Sequence, residues 1–172
     1  MDPAPQGSAP ASFPGMNLHP DIAHLEFLVG TWRGRGRGDY PTIDSFEYNE
    51  EVTFSHVGKP FVHYSQKTKD DEGLPLHTET GYLRAVGDDR LEMVIAQPTG
   101  VTEIHEGRVH EGRVDLIAVE VGNSFTAKEV SAVRRSLDVD GDVLHYVLEM
   151  AAVGRDLQFH LEARLERIEQ PH

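Results

Sequence analysis

The sequence contains no cysteine. Disulfides, thiolate metal sites and cysteine nucleophiles are therefore excluded, and the absence is compatible with a reducing compartment. No apolar run approaches the roughly 20 residues of a membrane span, and the N-terminus carries no apolar signal core. A cytoplasmic protein is the expectation. Positive charge is scarce: 16 lysines and arginines face 29 aspartates and glutamates, for a formal net charge of −13 and a pI near 5.1. Such a field disfavours nucleic acid and anionic membrane as partners. Hydrolase signatures are missing too, with no Gly-x-Ser-x-Gly elbow and no carboxylate pair that stands out among the many acids.

Trp32 is the single tryptophan. It sits in the most tightly patterned stretch of the chain, Gly30-Thr31-Trp32-Arg33-Gly34-Arg35-Gly36-Arg37-Gly38-Asp39-Tyr40-Pro41. Glycine at every second position of an extended segment leaves one face without side chains, where another backbone or a flat ligand can approach closely. A dinucleotide loop is excluded, because the flanking strand-turn-helix is absent. The stretch reads as a sharply bent strand that closes a barrel.

At 172 residues the chain is one domain, long enough to bury a core. Residues 1–16 are mainly Pro, Ala, Gly and Ser and read as a flexible tail, leaving 17–172 as the folded domain. Asn17 to Val29 reads as a short helix with Pro20 in its first turn and Ile22, Leu25, Leu28 and Val29 as its apolar stripe, suited to plug one barrel end. From Trp32 onward short strands alternate with Gly, Asp and Pro turns, of which Asp140-Gly141 is the strongest hairpin signal. The pattern describes an antiparallel sandwich or barrel. Between Val143 and Ala152, Leu144, Tyr146, Leu148, Met150 and Ala152 form an apolar set opposite His145 and Glu149, which suits a barrel wall with one buried face. Leu157 to Ile168 satisfies both a strand and a helix periodicity.

Ten histidines without cysteine invite a metal reading, yet their spacings support no bare zinc site. His105, His110 and His145 lie among Glu, Gly and Asp and read as solvated, and His63 is undecided. His77, beside Leu76, and His160, between Phe159 and Leu161, have apolar neighbours. A buried, hydrogen-bonded imidazole is the ordinary reading of both. A single imidazole presented to an apolar cavity is also what a five-coordinate haem iron needs.

Gly30-x-Trp32-x-Gly34-x-Gly36 followed by Tyr40-Pro41-Thr42-Ile43 resembles the signature of the nitrobindin family. The resemblance continues through Phe46-x-Tyr48-x-Glu50-Glu51, His56-x-Gly58-Lys59-Pro60, His77-x-Glu79-x-Gly81-Tyr82, Gln97-x-Thr99-Gly100, Ala127-Lys128-Glu129 and Leu157-Gln158-x-His160-Leu161. It implies an all-β fold, an antiparallel up-and-down β-barrel of about ten strands with a short N-terminal helix, similar in shape to fatty-acid-binding proteins. It implies haem b at one open end, with His160 as iron ligand and catalytic residue. Thr42 and Lys128 match haem-contacting positions, the lysine suited to a propionate, and His77, Gln97 and Met150 match cavity-lining positions. His160 carries a problem of phase: if it points inward, Glu162 should too, unless a bulge intervenes. The implied activity is isomerisation of peroxynitrite to nitrate on ferric haem, with nitric oxide as a further ligand and a homodimer as the candidate assembly. Two alternatives stay open, a nitric oxide carrier or sensor without turnover, and a haem-free carrier of a fatty acid or another apolar ligand.

Overall fold

A computed structural model describes residues 16–169, so most of the expected tail, residues 1–15, lies outside the described residues. Gly30–Tyr40 forms the first strand, β1, and is followed by β2 (Ile43–Ser55), β3 (Val62–Lys69), β4 (Pro75–Val86) and β5 (Arg90–Ala96). Then come β6 (Val101–His110), β7 (Arg113–Asn123), β8 (Val130–Asp140), β9 (Val143–Ala152) and β10 (Gln158–Glu169). Each strand pairs antiparallel with its neighbour in the chain, and β1 closes against β10, so the ten strands form a closed barrel without an edge. The last segment is thus a strand from Gln158 on, with Leu157 in the bend before it.

The glycine face of β1 points into the barrel, and Arg33, Arg35 and Arg37 point to solvent. Gly36 stands opposite Tyr48 in register, and a Cβ there would collide with the hydroxyl-bearing edge of the Tyr48 ring. Gly34 faces the Arg164 main-chain carbonyl of β10 so closely that any side chain would push the two strands apart. The glycines therefore make room for an aromatic ring from β2 and for the closing seam with β10.

The connections β2–β3, β4–β5, β6–β7 and β8–β9 share one end of the barrel, and the helix closes it. That element is narrower than Asn17–Val29 and is a 3₁₀ helix over Pro20–Leu28. At three residues per turn, Ile22, Leu25 and Leu28 fall on one face, and all three are fully buried. Trp32 Nε1 donates to the Leu28 carbonyl at 2.8 Å. The Arg167 guanidinium lies 3.9 Å over the Trp32 ring and donates to the main-chain oxygens of Phe27 and Val29. No helix among the described residues is long and apolar enough to cross a membrane.

Midway along the axis the interior turns polar. Arg135 reaches from β8 to Glu79 on β4 (2.6 and 3.1 Å) and to Glu103 on β6 (2.8 and 3.2 Å). His105 Nε2 donates to Glu103 at 2.7 Å, and Tyr64 donates to Glu79 at 2.7 Å. On the other side Glu50 of β2 accepts from Gln66 at 2.5 Å and from Tyr146 of β9 at 2.8 Å. All of these groups are buried. This corrects the reading of His105 as solvated: it is in phase with Val101, Glu103 and Val109 on the inner face of β6 and is fully buried. His110 and His145 do face solvent. The cavity left beside Tyr64, Arg135 and Tyr146 measures about 20 Å³, room for about one water.

The three belt carboxylates divide. Burial alone would push Glu79 and Glu103 up, but the Arg135 charge, with the nearby His77 and hydrogen bonds from Arg135 and Tyr64 on Glu79 and from His105 on Glu103, holds both below the usual carboxylate range. Among the described residues no cation makes hydrogen-bonding contact with Glu50, and burial, against the hydrogen bonds from Gln66 and Tyr146, pushes it up to about 7.

Two outcomes are expected. Gly36→Ala should cost about 3 kcal/mol in urea unfolding, because the Tyr48 ring cannot share the space with a methyl group. For Glu50 the folded state binds more protons than the unfolded chain between the ordinary 4.5 and about 7, so its contribution to stability falls as pH rises through that window. Relative to wild type, Glu50→Gln should therefore gain about 3 kcal/mol on going from below to above the window, read from urea midpoints across pH. A pH-independent difference between the two proteins would refute the assignment.

Candidate functional site

The end opposite the helix carries the connections β1–β2, β3–β4, β5–β6, β7–β8 and β9–β10. All six residues singled out from the sequence lie at this end. Thr42 is exposed in the β1–β2 turn, and Lys128 is exposed on the β7–β8 connection, two residues before β8 begins. His77 stands near the start of β4, Gln97 just past the end of β5, and Met150 near the end of β9, all partly buried. His160 is the third residue of β10. Alternation places His77 in phase with Glu79, Gln97 with Ile95, and Met150 with Leu148, so all three belong to the inner face. Residues more than 100 positions apart in the chain thus share one barrel mouth, because every second turn of an up-and-down barrel returns to the same rim.

The phase problem at His160 is resolved by a bulge. Phe159 pairs with Glu149 and Leu161 with Leu148, so the register slips by one residue at His160. Glu162 stays on the outer wall, where it pairs with Arg37 at 2.5 Å. His160 turns instead to the buried Tyr40, whose ring lies 5.2 Å away, edge on. A bulge re-aims one side chain without reversing the whole strand.

His160 Nδ1 lies 3.4 Å from the Asp39 main-chain oxygen. Donation there assigns the proton to Nδ1 and leaves Nε2 as the basic nitrogen, for which no hydrogen-bond partner exists among the described residues. Burial lowers the His160 pKa from its ordinary value, opposed by the Asp39 carbonyl and reinforced by His77. The imidazole is therefore kept neutral, the form in which it binds a metal. A single neutral imidazole with Nε2 available fits a residue that would hold a haem iron. Among the described residues no cluster of three or more His, Asp or Glu could hold a bare metal ion.

The polar residues of the mouth rest on the belt beneath. Gln97 Nε2 donates to Glu103 at 2.6 Å, its oxygen accepts from Thr99 at 3.2 Å, and His77 Nε2 lies 3.7 Å from Glu79. Exposed apolar side chains, among them Phe46, Leu74, Phe125 and Leu157, surround the opening. Apolar side chains around the opening suit a large flat apolar ligand. The belt is not among the expectations drawn from sequence, although alternation carries its signal. Glu50 alternates in phase with Tyr48, Val52 and Phe54, and Arg135 with Val133 and Leu137.

Comparisons with known proteins agree with this geometry. The family described as "THAP4-like, heme-binding beta-barrel domain" matches residues 21–167. A protein of Nocardia farcinica named peroxynitrite isomerase is 51% identical over 159 residues, covering 90% of this chain and 95% of its own. Peroxynitrite isomerase 2 of Mycobacterium avium is 53% identical over 156 residues, covering 88% and 97%. The crystal structure of Rv2717c from M. tuberculosis superposes with a TM-score of 0.84 at 48% identity, covering 89% of this chain and all of that one. The chain belongs to the THAP4-like, haem-binding β-barrel family, the nitrobindin family that its motifs resemble.

Proposed function

We propose that the barrel holds ferric haem b at its open mouth and isomerises peroxynitrite to nitrate. The observation that carries the reading is the bulge at His160, which turns one neutral imidazole into a mouth rimmed by apolar side chains. The relatives named peroxynitrite isomerase, similar over nearly their whole length, support it. Isomerisation moves an oxygen within one anion and consumes neither protons nor electrons, so no second substrate or reductant site is needed.

Haem supplies the iron at which the oxidant would be rearranged. The chain supplies the rest. His160 offers Nε2 as the ligand while the Asp39 carbonyl holds its tautomer. Lys128, exposed at the rim, would pair with a propionate, and Thr42, exposed in the β1–β2 turn, would contact the haem edge. Met150 contributes apolar wall, and the Gln97 amide, held from both sides, contributes a fixed dipole that pays little reorganisation cost.

The proposal extends to nitric oxide at the same iron position, and to a homodimer. Tyr82, Val94 and Ile104 lie in register on the outer wall as an exposed apolar row, surface that a second copy would bury. The fatty-acid carrier is disfavoured by the polar interior: Arg135, Glu79, Glu103 and Glu50 meet across the lumen where an acyl chain would have to lie.

Reconstitution with ferric haem should give a Soret band that His160→Ala shifts or abolishes, and nitrate yield from peroxynitrite should drop to the uncatalysed level in that variant. Equal nitrate yields from the two proteins would remove the isomerase reading, and unchanged spectra would remove His160 as ligand. Because the folded His160 pKa lies below the ordinary 6.5, the wild-type spectrum should survive acidification to below that value. Nitric oxide binding should appear as a shift of the same band. Sedimentation at micromolar concentration should show a dimer that Val94→Asp converts to monomer.

A further inference from the structure

Four of the five tyrosines are buried, and their hydroxyl partners differ. Tyr40 donates to the main-chain carbonyls of Met150 and Ala152, each at 3.3 Å. Tyr64 donates to Glu79 at 2.7 Å. Tyr146 donates to Glu50 at 2.8 Å, and the Tyr48 and Tyr146 hydroxyls lie 2.9 Å apart. With the Tyr146 proton committed to Glu50, Tyr48 donates to Tyr146, and the chain runs Tyr48 to Tyr146 to Glu50. Nothing in the proposed isomerisation uses it.

A phenol yields an electron easily only when its proton can leave at the same time to a base within hydrogen-bond reach. Main-chain carbonyls are too weak as bases, which excludes Tyr40. Glu79 is also a poor acceptor, because Arg135 holds both of its oxygens and a proton there would break a buried ion pair. Glu50 differs. Its hydrogen-bond partners are the Gln66 amide and Tyr146 itself, and the charged groups facing it, Glu79 and Arg135, oppose each other. Its carboxyl, pushed up to about 7 by burial, takes a proton readily near neutrality. Gln66 Oε1 is buried and has no hydrogen-bond partner among the described residues.

We propose that the Tyr48–Tyr146–Glu50 chain is a buried one-electron donor that quenches oxidising equivalents escaping from the mouth. Tyr146 loses one electron to a one-electron oxidant such as nitrogen dioxide, which becomes nitrite. Its O–H bond breaks, the proton moves to Glu50 Oε2 to form the carboxylic acid, and the Tyr48 hydroxyl hydrogen-bonds to the phenoxyl oxygen. A small thiol or ascorbate-class reductant later returns one electron, and Glu50 returns the proton. Tyr146 and Met150 share the inner face of β9 four residues apart, about 13 Å along the strand, which spans the distance from belt to mouth. The choice of nitrogen dioxide rests on the function proposed above, since homolysis of peroxynitrite releases it. The donor itself rests only on a haem at the mouth.

The test uses the haem-loaded full chain and hydrogen peroxide, an oxidant outside the isomerase reaction, with rapid freezing and electron paramagnetic resonance. Wild type should show a tyrosyl radical, and Tyr146→Phe and Glu50→Gln should each lose most of it. Tyr64→Phe and the exposed-residue control Tyr82→Phe should retain it. Glu50→Gln keeps the shape of the site and is expected to fold stably, but its amide cannot accept the proton. A signal of equal size in Tyr146→Phe and Glu50→Gln overturns the proposal, as does haem oxidation in wild type without any tyrosyl radical. The radical without peroxynitrite turnover would leave the donor standing and remove the isomerase, and turnover without the radical would do the reverse.

Discussion

Closure of a ten-stranded sheet on itself is the constraint from which the rest follows. It pairs β1 with both β2 and β10, so the first strand must curve tightly between two neighbours and accept their side chains on its inner face. Glycine at Gly34 and Gly36 removes the atoms that would collide with the Arg164 carbonyl and the Tyr48 ring. With every strand paired on both sides, the backbone has no edge to offer, and reactivity is confined to the two ends. The helix takes one end. The other is left to the five turns that carry the candidate site.

A barrel of ten strands is wider than one that side chains of ordinary length fill from each wall. The middle of this one is spanned by long polar side chains that meet across the lumen. Arg135 on β8 ties Glu79 on β4, four strands away around the wall, and Tyr146 on β9 ties Glu50 on β2. Burying these ions costs desolvation, which only complete pairing offsets, and removing one partner from such a set is far more harmful than the net worth of the pair suggests. The belt then has two consequences for function. It fills the space an acyl chain would need, and it holds His77 and Gln97, which would otherwise be flexible at an open rim, through Glu79 and Glu103.

Much of this was legible in the chain. The alternation from Val143 to Ala152 identified an inward face that holds throughout β9, and the turn residues marked nearly every strand boundary. Ile22, Leu25 and Leu28 were readable as the apolar face of a plug, though not as a 3₁₀ helix, because spacing by three fits both helix types. The belt was not recognised. Glu50, Glu79, Glu103 and Arg135 all stand in phase with apolar neighbours, but in a chain with 29 acids a single charged residue at an inward position looks like any other. Only the partner, supplied from a different strand, distinguishes a buried ion from a misplaced one. The same holds for His105: polar residues beside it in the chain read as solvent-facing, whereas β6 turns both it and Glu103 to the buried inner wall.

What the sequence determined by itself was local: the two-residue alternation of each wall, the turns, the glycine strand, and the single imidazole near the C-terminus. These depend on backbone geometry and on neighbours within a few residues, which any reader of the chain can see. Tertiary structure decided the rest. Whether His160 faces inward depends on a one-residue slip against β9, which strict alternation forbids and pairing alone permits. Which tyrosine has a base to receive its proton depends on Glu50 being out of reach of Arg135 while Glu79 is within it. Those distinctions arise from distances between strands far apart in the chain, and closure of the barrel sets those distances.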